Sequence, residues 1–266
     1  MSREVKEKLA RSLTAETTEL IPYLPYLLQD FWSLGGSPER IAELIEKYVC
    51  LSESTKILDL ACGKGAVSIK IAQKLRTKVK GIDIMPAFAE FAARKAKELG
   101  VNDFCEFIVA DINEAIKTER DYDCLVYVSA GNILGNPAKT LHHLKSTVKT
   151  GGYLLIEDAY LSKNSSLENV KFHYEYLTKT QWTTLFEDMG LDLIETVYDH
   201  NPSPSPESDM SAISARANEL IEKYPDKKAV FEGYILSQQN EYDDLDESLV
   251  CVIWMLRNFK NFERCY

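Results

Sequence analysis

The residues of this sequence that could do chemistry are carboxylates and glycines at the ends of predicted strands. Asp59 closes a short apolar stretch, and the turn A-C-G-K-G over residues 61–65 follows it. Glycines let the backbone of such a turn approach a ligand closely. The helix predicted to begin after the turn presents unpaired N–H groups that attract a carboxylate or a phosphate. We therefore predict that the turn binds an anionic group of a ligand.

Further carboxylates follow the next predicted strands. Asp83 lies 18 residues after Gly65, at the end of the second strand, where a carboxylate can accept hydrogen bonds from both hydroxyls of a ribose. Asp111 follows the third strand and suits the exocyclic amine of adenine, and Ser129 and Asn132 follow the fourth. The carboxyl ends of adjacent parallel strands border one crevice. These side chains therefore predict a site for a nucleoside.

An alternation of strands and helices must position these residues. Strands are predicted at 57–60, 78–84, 105–109, 124–129, 153–159, 191–198 and 249–256, and helices at 66–75, 86–99, 137–148 and 178–190. Strands separated by helices require right-handed crossovers and a mainly parallel sheet that is buried on both faces. The pattern predicts an α/β fold.

Two segments lie outside this alternation. Residues 1–50 have helical spacing and an aromatic stretch, and they are predicted to form an N-terminal cap. Residues 201–247 begin with a proline-rich linker and continue as two amphipathic helices inserted before the last strand. Residues 51–200 and 248–266 then form the ligand-binding domain. The insertion could cover a pocket or form a dimer interface, and the sequence leaves both possibilities open.

Composition disfavours several classes of protein. The 266 residues carry a formal net charge of −10, and a nucleic-acid partner, which needs a basic face, is therefore not expected. No apolar run of roughly 18 residues and no cleavable leader is visible, so membrane insertion and secretion are not expected either. The six cysteines are scattered without metal-ligand spacing. We expect no metal, reduced thiols and a cytoplasmic protein.

Several of these motifs together resemble one known family. The turn D-x-A-C-G-x-G at 59–65, the G-I-D at 81–83 and the A-D at 110–111 resemble the successive cofactor motifs of class I S-adenosylmethionine-dependent methyltransferases. The Gly-Gly pair at 151–152 and the passage 177–191 are similar to that family too. The resemblance covers roughly residues 51–199 and the last strand. It implies a Rossmann-like, doubly wound, seven-stranded sheet with an antiparallel last strand, and S-adenosylmethionine as the methyl donor for a small-molecule acceptor.

The resemblance also implies roles for single residues. Asp59 is expected near the methionine ammonium, Asp83 at the ribose, Ile84 beside the adenine ring and Asp111 at its amine. Trp32 could cover the cofactor or pack the N-terminal helices on the sheet. The residues predicted to bind the cofactor are Asp59, Ala61, Cys62, Gly63, Gly65, Asp83, Ile84, Met85, Ala110, Asp111, Ile112, Ser129, Asn132 and Trp32.

A catalytic residue is not identified by the sequence. Methyl transfer from a sulfonium is an in-line displacement, so positioning and exclusion of water can supply most of the acceleration. A base is needed only for a protonated acceptor, and the candidates are Asp158, His173 and Tyr174, followed by Glu157, His142 and His143.

Two other functions stay open at this point. A nicotinamide-dependent oxidoreductase would share the glycine turn and Asp83. It predicts G-x-G-x-x-G, however, and Ser68 occupies the last position of that motif. A module that binds S-adenosylmethionine without turnover would share the whole pattern.

Overall fold

A single mixed sheet forms the centre of the protein. The computed structural model describes residues 1–163, 165–171, 175–198 and 206–259. The strands within these ranges are β1 (Lys56–Leu60), β2 (Lys78–Asp83), β3 (Cys105–Val109), β4 (Tyr122–Tyr127), β5 (Val148–Leu161), β6 (Leu191–Tyr198) and β7 (Leu249–Asn258). Their order is β3-β2-β1-β4-β5-β7-β6. β1 to β5 pair in parallel, and β7 lies antiparallel between β5 and β6. The predicted α/β Rossmann-like sheet with an antiparallel last strand is confirmed.

Helices cover both faces of this sheet. The helices within the described ranges are α1 (Arg3–Ser12), α2 (Leu24–Leu27), α3 (Pro38–Tyr48), α4 (Ala66–Leu75), α5 (Pro86–Glu98), α6 (Ile112–Ala115), α7 (Pro137–Lys145), α8 (Lys179–Asp188), α9 (Pro206–Lys223) and α10 (Lys228–Glu247). None of these helices combines the length and the apolar character needed to cross a membrane.

The two faces of the sheet are packed by different helices. On one face, Leu144 of α7 and Phe186 of α8 join the core cluster that contains Leu58 of β1. On the other face, α3 and α4 contribute Ile45 and Ile71 to a second buried cluster. Because both faces are covered, the middle of β1 and β4 is formed by buried apolar residues such as Leu58 and Leu125.

The predicted limits of two strands need correction. β4 ends at Tyr127 rather than at 129, since Ser129 adopts the left-handed conformation with φ +50° and cannot continue a strand. β5 begins at Val148, so the Gly-Gly pair at 151–152 lies inside the strand instead of before it. A Cβ atom on Gly152 would come within 3.0 Å of the Lys149 carbonyl oxygen, and the glycine therefore permits this irregular start.

The N-terminal segment and the insertion pack against each other. Leu9 of α1 and Leu24 of α2 share a buried cluster with Leu220 of α9 and Phe231 of α10. The ring of Tyr23 meets that of Phe231 edge to face, with 5.1 Å between the centroids. The apolar stripes of both segments are thus buried within one chain. The linker prolines Pro202 and Pro204 lie outside the described residues.

Candidate functional site

A cleft opens at the carboxyl ends of β1, β2 and β4, below α1 and the segment 32–35. It holds about 920 Å³ of empty space, including the part open to solvent. Its floor comes from the strand ends and the turns after them, and its cover from the N-terminal segment. The lining residues are Val5, Lys8, Leu9, Ser12, Leu13, Trp32, Ser33, Leu34, Gly35, Asp59, Ala61, Cys62, Gly63, Lys64, Ala66, Val67, Asp83, Ile84, Met85, Phe88, Asp111, Ile112, Asn113, Val128, Ser129, Ala130 and Ile133.

The turn after β1 is left-handed at three positions. Ala61, Gly63 and Gly65 have φ of +59°, +52° and +73°. A Cβ atom on Gly65 would lie 2.7 Å from the Cβ of Ala92 in α5. Gly65 is therefore required for the packing of α4 against α5, and it does not line the cleft. The left-handed backbone at Ala61 costs about 1–2 kcal/mol for a residue with a Cβ atom.

Asp83 joins the turns after β1 and β2. Its Oδ2 accepts a hydrogen bond from the N–H of Gly63 and its Oδ1 accepts one from the N–H of Met85, each at 2.8 Å. Burial raises the pKa of this carboxyl, and the two main-chain donors act in the opposite direction. Each carboxylate oxygen has a second lone pair, so the group can still accept hydrogen bonds from two hydroxyls of a ligand.

Asp59 is the most deeply buried carboxylate of the cleft. Only 2% of its surface is exposed, and its Oδ2 accepts a hydrogen bond from the Oγ of Ser68 at 2.5 Å. Burial raises the pKa of Asp59 to about 7, and the charge of Asp83 adds to this effect. An enclosed carboxylate is stabilised by a cation, and Asp59 is thus suited to a positively charged group of a ligand.

Asp111 caps α6 at the edge of the cleft. Its Oδ1 accepts hydrogen bonds from both the main-chain N–H and the side-chain amide of Asn113, each at 2.9 Å. These bonds all end on one oxygen, and Oδ2 can accept a hydrogen bond from a ligand.

Lys64 ties the glycine turn to the N-terminal segment. Its side chain is 4% exposed, and its Nζ donates hydrogen bonds to the carbonyl oxygens of Leu28 and, at 2.6 Å, Phe31. The indole Nε1 of Trp32 donates in return to the Lys64 carbonyl oxygen at 3.2 Å. Burial lowers the pKa of Lys64 to about 8.

The N-terminal segment also contacts the end of β4, where it packs on a hydrogen-bonded pair of side chains. The Oγ of Ser129 donates a hydrogen bond to the Oε2 of Glu157 at 2.7 Å. Gly35 and Gly36 lie directly on this pair, since a Cβ atom on Gly36 would come within 2.6 Å of the Val128 Cγ1 and 2.9 Å of the Glu157 Oε2. Glycines are needed here for close approach of the backbone.

The structure brings most of the predicted cofactor residues together in this cleft. Asp59, Ala61, Cys62, Gly63, Asp83, Ile84, Met85, Asp111, Ile112, Ser129 and Trp32 all line it. Gly65, Ala110 and Asn132 do not. The N–H of Ala110 bonds the Asp83 carbonyl oxygen at 3.0 Å, and the carbonyl of Asn132 closes a turn with Gly135.

The catalytic candidates are placed elsewhere or lie outside the description. Asp158, on β5, does not line the cleft, and burial raises its pKa to about 6. His142 and His143 lie on α7 with their rings 5.9 Å apart, away from the cleft. His173 and Tyr174 fall outside the described residues.

Sequence reasoning missed the part of the site that comes from α1. Val5, Lys8 and Leu9 lie on one side of this helix and face the cleft, and Ser12 and Leu13 follow them. The spacing of these residues indicates an amphipathic helix, but a periodic pattern does not say what a helix packs against. No described residue of the insertion lines the cleft, and the insertion packs on the outside of α1 and α2 instead.

Known proteins resemble this chain in sequence and in structure. A family model for a methyltransferase domain matches residues 51–201. The uncharacterized protein YjhP of Escherichia coli is 30% identical over 164 residues, which are 57% of this chain and 66% of that protein. The sterol 4-C-methyltransferase strm-1 of Caenorhabditis elegans is 28% identical over 138 residues, 52% of this chain and 40% of that protein. The matches thus span less than two thirds of either relative.

A solved structure shows the same fold. The S-adenosylmethionine-dependent methyltransferase of Thiobacillus denitrificans, crystallised with S-adenosyl-L-homocysteine, superposes with a TM-score of 0.71. The two are 21% identical, and the match covers 88% of this chain and 97% of the other. Because the family model spans more than half of the chain, including the turns that build the cleft, this protein belongs to the class I S-adenosylmethionine-dependent methyltransferases.

Proposed function

We propose that this protein transfers a methyl group from S-adenosylmethionine to a small-molecule acceptor. The observation that carries the proposal is the convergence of Asp59, Asp83 and Asp111, from three adjacent strand ends, on one cleft beside a left-handed glycine turn. When bound, S-adenosylmethionine supplies a methyl group on a positively charged sulfur.

The side chains of the cleft fit the parts of this cofactor. Asp59, enclosed and able to face a cation, would hold the methionine ammonium, and Asp83 would accept hydrogen bonds from the ribose hydroxyls. The Oδ2 of Asp111 would accept one from the adenine amine. Ile84 and Ile112 line the cleft beside these carboxylates and would pack on the adenine ring. All of these groups bind and orient, and none has to accept a proton.

The cover of the cleft supports a small acceptor. α1 and the segment 32–35 lie across the carboxyl ends of the strands, and they would limit the access of water to a sulfonium held there. A net charge of −10 also opposes the approach of a polyanion.

Curated relatives of this chain are named for acceptors as different as a sterol, coclaurine and a tRNA guanine. A cytoplasmic location stays a prediction of the sequence, which leaves a homodimer open as one alternative for the insertion.

Calorimetric titration and product detection test the proposal together. We expect S-adenosylmethionine and S-adenosylhomocysteine to bind the purified protein and NAD to give no heat. Asp83→Ala should weaken binding at least tenfold, because hydrogen bonds to a charged group contribute about 1.5–3 kcal/mol each. Asp103→Ala, which removes an exposed carboxylate on the loop before β3, is the matched control.

A panel of small molecules, tRNA and protein fractions then identifies the acceptor class. We expect S-adenosylhomocysteine to form with a small molecule. Binding without product across the whole panel would favour a cofactor-sensing module, and binding of NAD alone would refute the methyltransferase.

A further inference from the structure

The lining of the cleft is divided between a charged part and an apolar part. Its three carboxylates, Asp59, Asp83 and Asp111, all come from the carboxyl ends of β1, β2 and β3. Among the described lining residues, α1 and the turn after β4 contribute no carboxylate. The empty space of about 920 Å³ lies in the upper part of the range of about 300–1,000 Å³ that is typical of small-molecule sites. A second small molecule therefore has space beside the residues assigned to the cofactor.

α1 presents one face to this space. Val5, Lys8, Leu9, Ser12 and Leu13 follow one another at the spacing of a single helix face, and all five line the cleft. The Oγ of Ser12 donates its proton to the Leu9 carbonyl oxygen at 2.9 Å, within the helix. Val5 and Lys8 are half-buried. The helix therefore offers a ligand an apolar surface and one ammonium group.

The turn after β4 supplies a second apolar surface. Val128, Ala130 and Ile133 line the cleft, and Val128 and Ile133 keep part of their surface accessible. Ser129 is the polar residue of this turn, and its Oγ donates a hydrogen bond to Glu157 at 2.7 Å. Glu157 itself does not line the cleft. A molecule between α1 and this turn would therefore have an apolar body.

Lys8 is the cation that a ligand in this space can reach. The described lining contains two lysines, and the other, Lys64, is 4% exposed and donates hydrogen bonds to two carbonyl oxygens of the N-terminal segment. The Nζ of Lys8 lies 3.0 Å from the Oε1 of Glu4, one turn earlier on α1, whose side chain is 78% exposed. An exposed ion pair of this kind contributes little to stability. An anion inside the cleft can therefore replace Glu4.

The charge of the methyl donor favours the same kind of ligand. A cationic acceptor would bring a second positive charge close to the sulfonium, and repulsion between like charges is strengthened where water is scarce. An anionic group is attracted by both the sulfonium and Lys8. The charges around the space therefore select against an amine and in favour of an acid.

We propose that the methyl acceptor is a small apolar acid, with its anionic group at the Nζ of Lys8 and its apolar body between α1 and the turn after β4. We call Val5, Lys8, Leu13, Val128, Ala130 and Ile133 the acceptor pocket. Lys8 binds and orients the acceptor and takes no proton from it. The assignment rests on the proposed methyltransferase function, since it places the acid beside S-adenosylmethionine.

Fragment binding tests the charge preference without any turnover. Calorimetric titration would compare 4-phenylbutyrate, 4-phenyl-1-butanol and 4-phenylbutylamine on the protein saturated with S-adenosylhomocysteine. We expect the acid to bind at least about tenfold more tightly than the alcohol, because hydrogen bonds to a charged group are worth that factor or more. The amine should bind more weakly than the alcohol. Equal binding of acid and alcohol, or no binding of the acid, would refute the proposal.

Variants of α1 locate the anionic group at Lys8. Lys8→Gln should reduce the affinity for 4-phenylbutyrate to that for the alcohol, and Lys8→Arg should preserve the preference. Lys6→Gln is the matched control, because Lys6 is exposed on the same helix, does not line the cleft and carries the same charge. An equal loss in Lys6→Gln and Lys8→Gln would show a general effect of net charge and would overturn the assignment.

A third variant tests the apolar part of the acceptor pocket. Val5→Ser removes apolar surface from the cleft side of α1 and leaves Lys8 in place. It should weaken the acid and the alcohol by the same factor, about threefold or more, because each buried methylene contributes about 0.8 kcal/mol. Unchanged binding of both fragments would show that their apolar body lies elsewhere.

Cofactor affinity separates this proposal from the one on which it rests. S-adenosylhomocysteine should bind wild type, Lys8→Gln and Lys6→Gln within twofold. Failure of S-adenosylhomocysteine to bind the wild type would refute the proposed function. A tenfold loss of S-adenosylhomocysteine affinity in Lys8→Gln alone would show that Lys8 holds the carboxylate of the cofactor, which would refute the acceptor pocket and leave the proposed function intact.

Discussion

The Nζ of Lys64 donates a hydrogen bond to the carbonyl oxygen of Phe31 at 2.6 Å, and this bond joins the cofactor turn to the segment that covers it. A second bond runs from the same Nζ to the Leu28 carbonyl, and the Trp32 indole returns one to the Lys64 main chain. Three hydrogen bonds at Lys64 therefore fasten the N-terminal cover to the floor of the site. The structural order of the cover should depend on Lys64.

Lys64→Met should loosen the cover while preserving the apolar stem of the side chain. Hydrogen bonds to a charged group contribute about 1.5–3 kcal/mol each, part of which is offset by relief of the buried charge. We expect faster hydrogen exchange over residues 13–36 and weaker binding of S-adenosylhomocysteine. Lys70→Met, which breaks a surface ion pair with Glu39, is the control. Equal exchange in the two variants would contradict the fastening role.

Asp59→Asn should stabilise the protein without cofactor, to an extent that depends on pH. Burial raises the folded-state pKa of Asp59 to about 7, above its ordinary value of 3.8. Between these values the folded state binds more protons than the unfolded state, so the contribution of Asp59 to stability falls as the pH rises. The asparagine does not titrate. The free energy of unfolding of the variant should therefore exceed that of wild type by up to about 4 kcal/mol above pH 7.

Thermal melts from pH 5 to pH 8 measure this effect. The difference in melting temperature between Asp59→Asn and wild type should grow across that range and level off above it. Affinity for S-adenosylmethionine should fall at least tenfold, since the ammonium loses its counter-charge. A variant that is less stable than wild type at pH 8 would show that the carboxylate is compensated within the chain.

The fold could be predicted from sequence because its signals are local. The apolar run at 57–60 and the glycine turn after it correspond to β1 and its loop within one residue. Asp59, Asp83 and Asp111 could be found for the same reason, since each lies within two residues of the end of a strand and parallel strands end at one edge. The function of Gly65 was not visible, because the contact with Ala92 that requires it arises between two helices.

Long-range packing accounts for what the sequence did not reveal. The stripe around Phe231 indicates that a face of α10 is buried, but not whether a pocket, a second copy or the N-terminal segment buries it. In the structure that partner is Tyr23 and its neighbours. Likewise, Ser129 and Glu157 are 28 residues apart, and nothing in either local sequence predicts their hydrogen bond.

Gly36→Ala should detach the cover from the end of β4. Gly36 has φ +67°, and a Cβ atom there would come within 2.6 Å of the Val128 Cγ1. Gly100→Ala is the matched control, because Gly100 has φ +68° with nothing within 4 Å of the added atom. Both variants carry the same backbone strain, so the difference between their stabilities measures the contact of the added Cβ atom with Val128. In urea titrations the free energy of unfolding of Gly36→Ala should fall by about 1–3 kcal/mol more than that of Gly100→Ala. Equal losses would show that the cover shifts to accommodate the added Cβ atom.

Phe231→Ala should destabilise the protein without changing its oligomeric state. Phe231 is fully buried against the N-terminal segment, and truncating such a ring costs about 3–5 kcal/mol. Leu236 lies on the same helix with 61% of its surface exposed, so an interface formed by the outer side of α10 would have to use it. We therefore expect Leu236→Ser to leave the free energy of unfolding nearly unchanged.

Sedimentation velocity on folded protein then separates the two roles of the insertion. Because the apolar stripe is buried within one chain, neither substitution should alter the sedimentation coefficient. If wild type is a dimer and Leu236→Ser sediments as a monomer, the outer side of α10 is the interface, and the stripe still packs internally. If the folded Phe231→Ala variant alone dissociates, the stripe packs between two copies, and the packing of α9 and α10 on the N-terminal segment of the same chain is refuted.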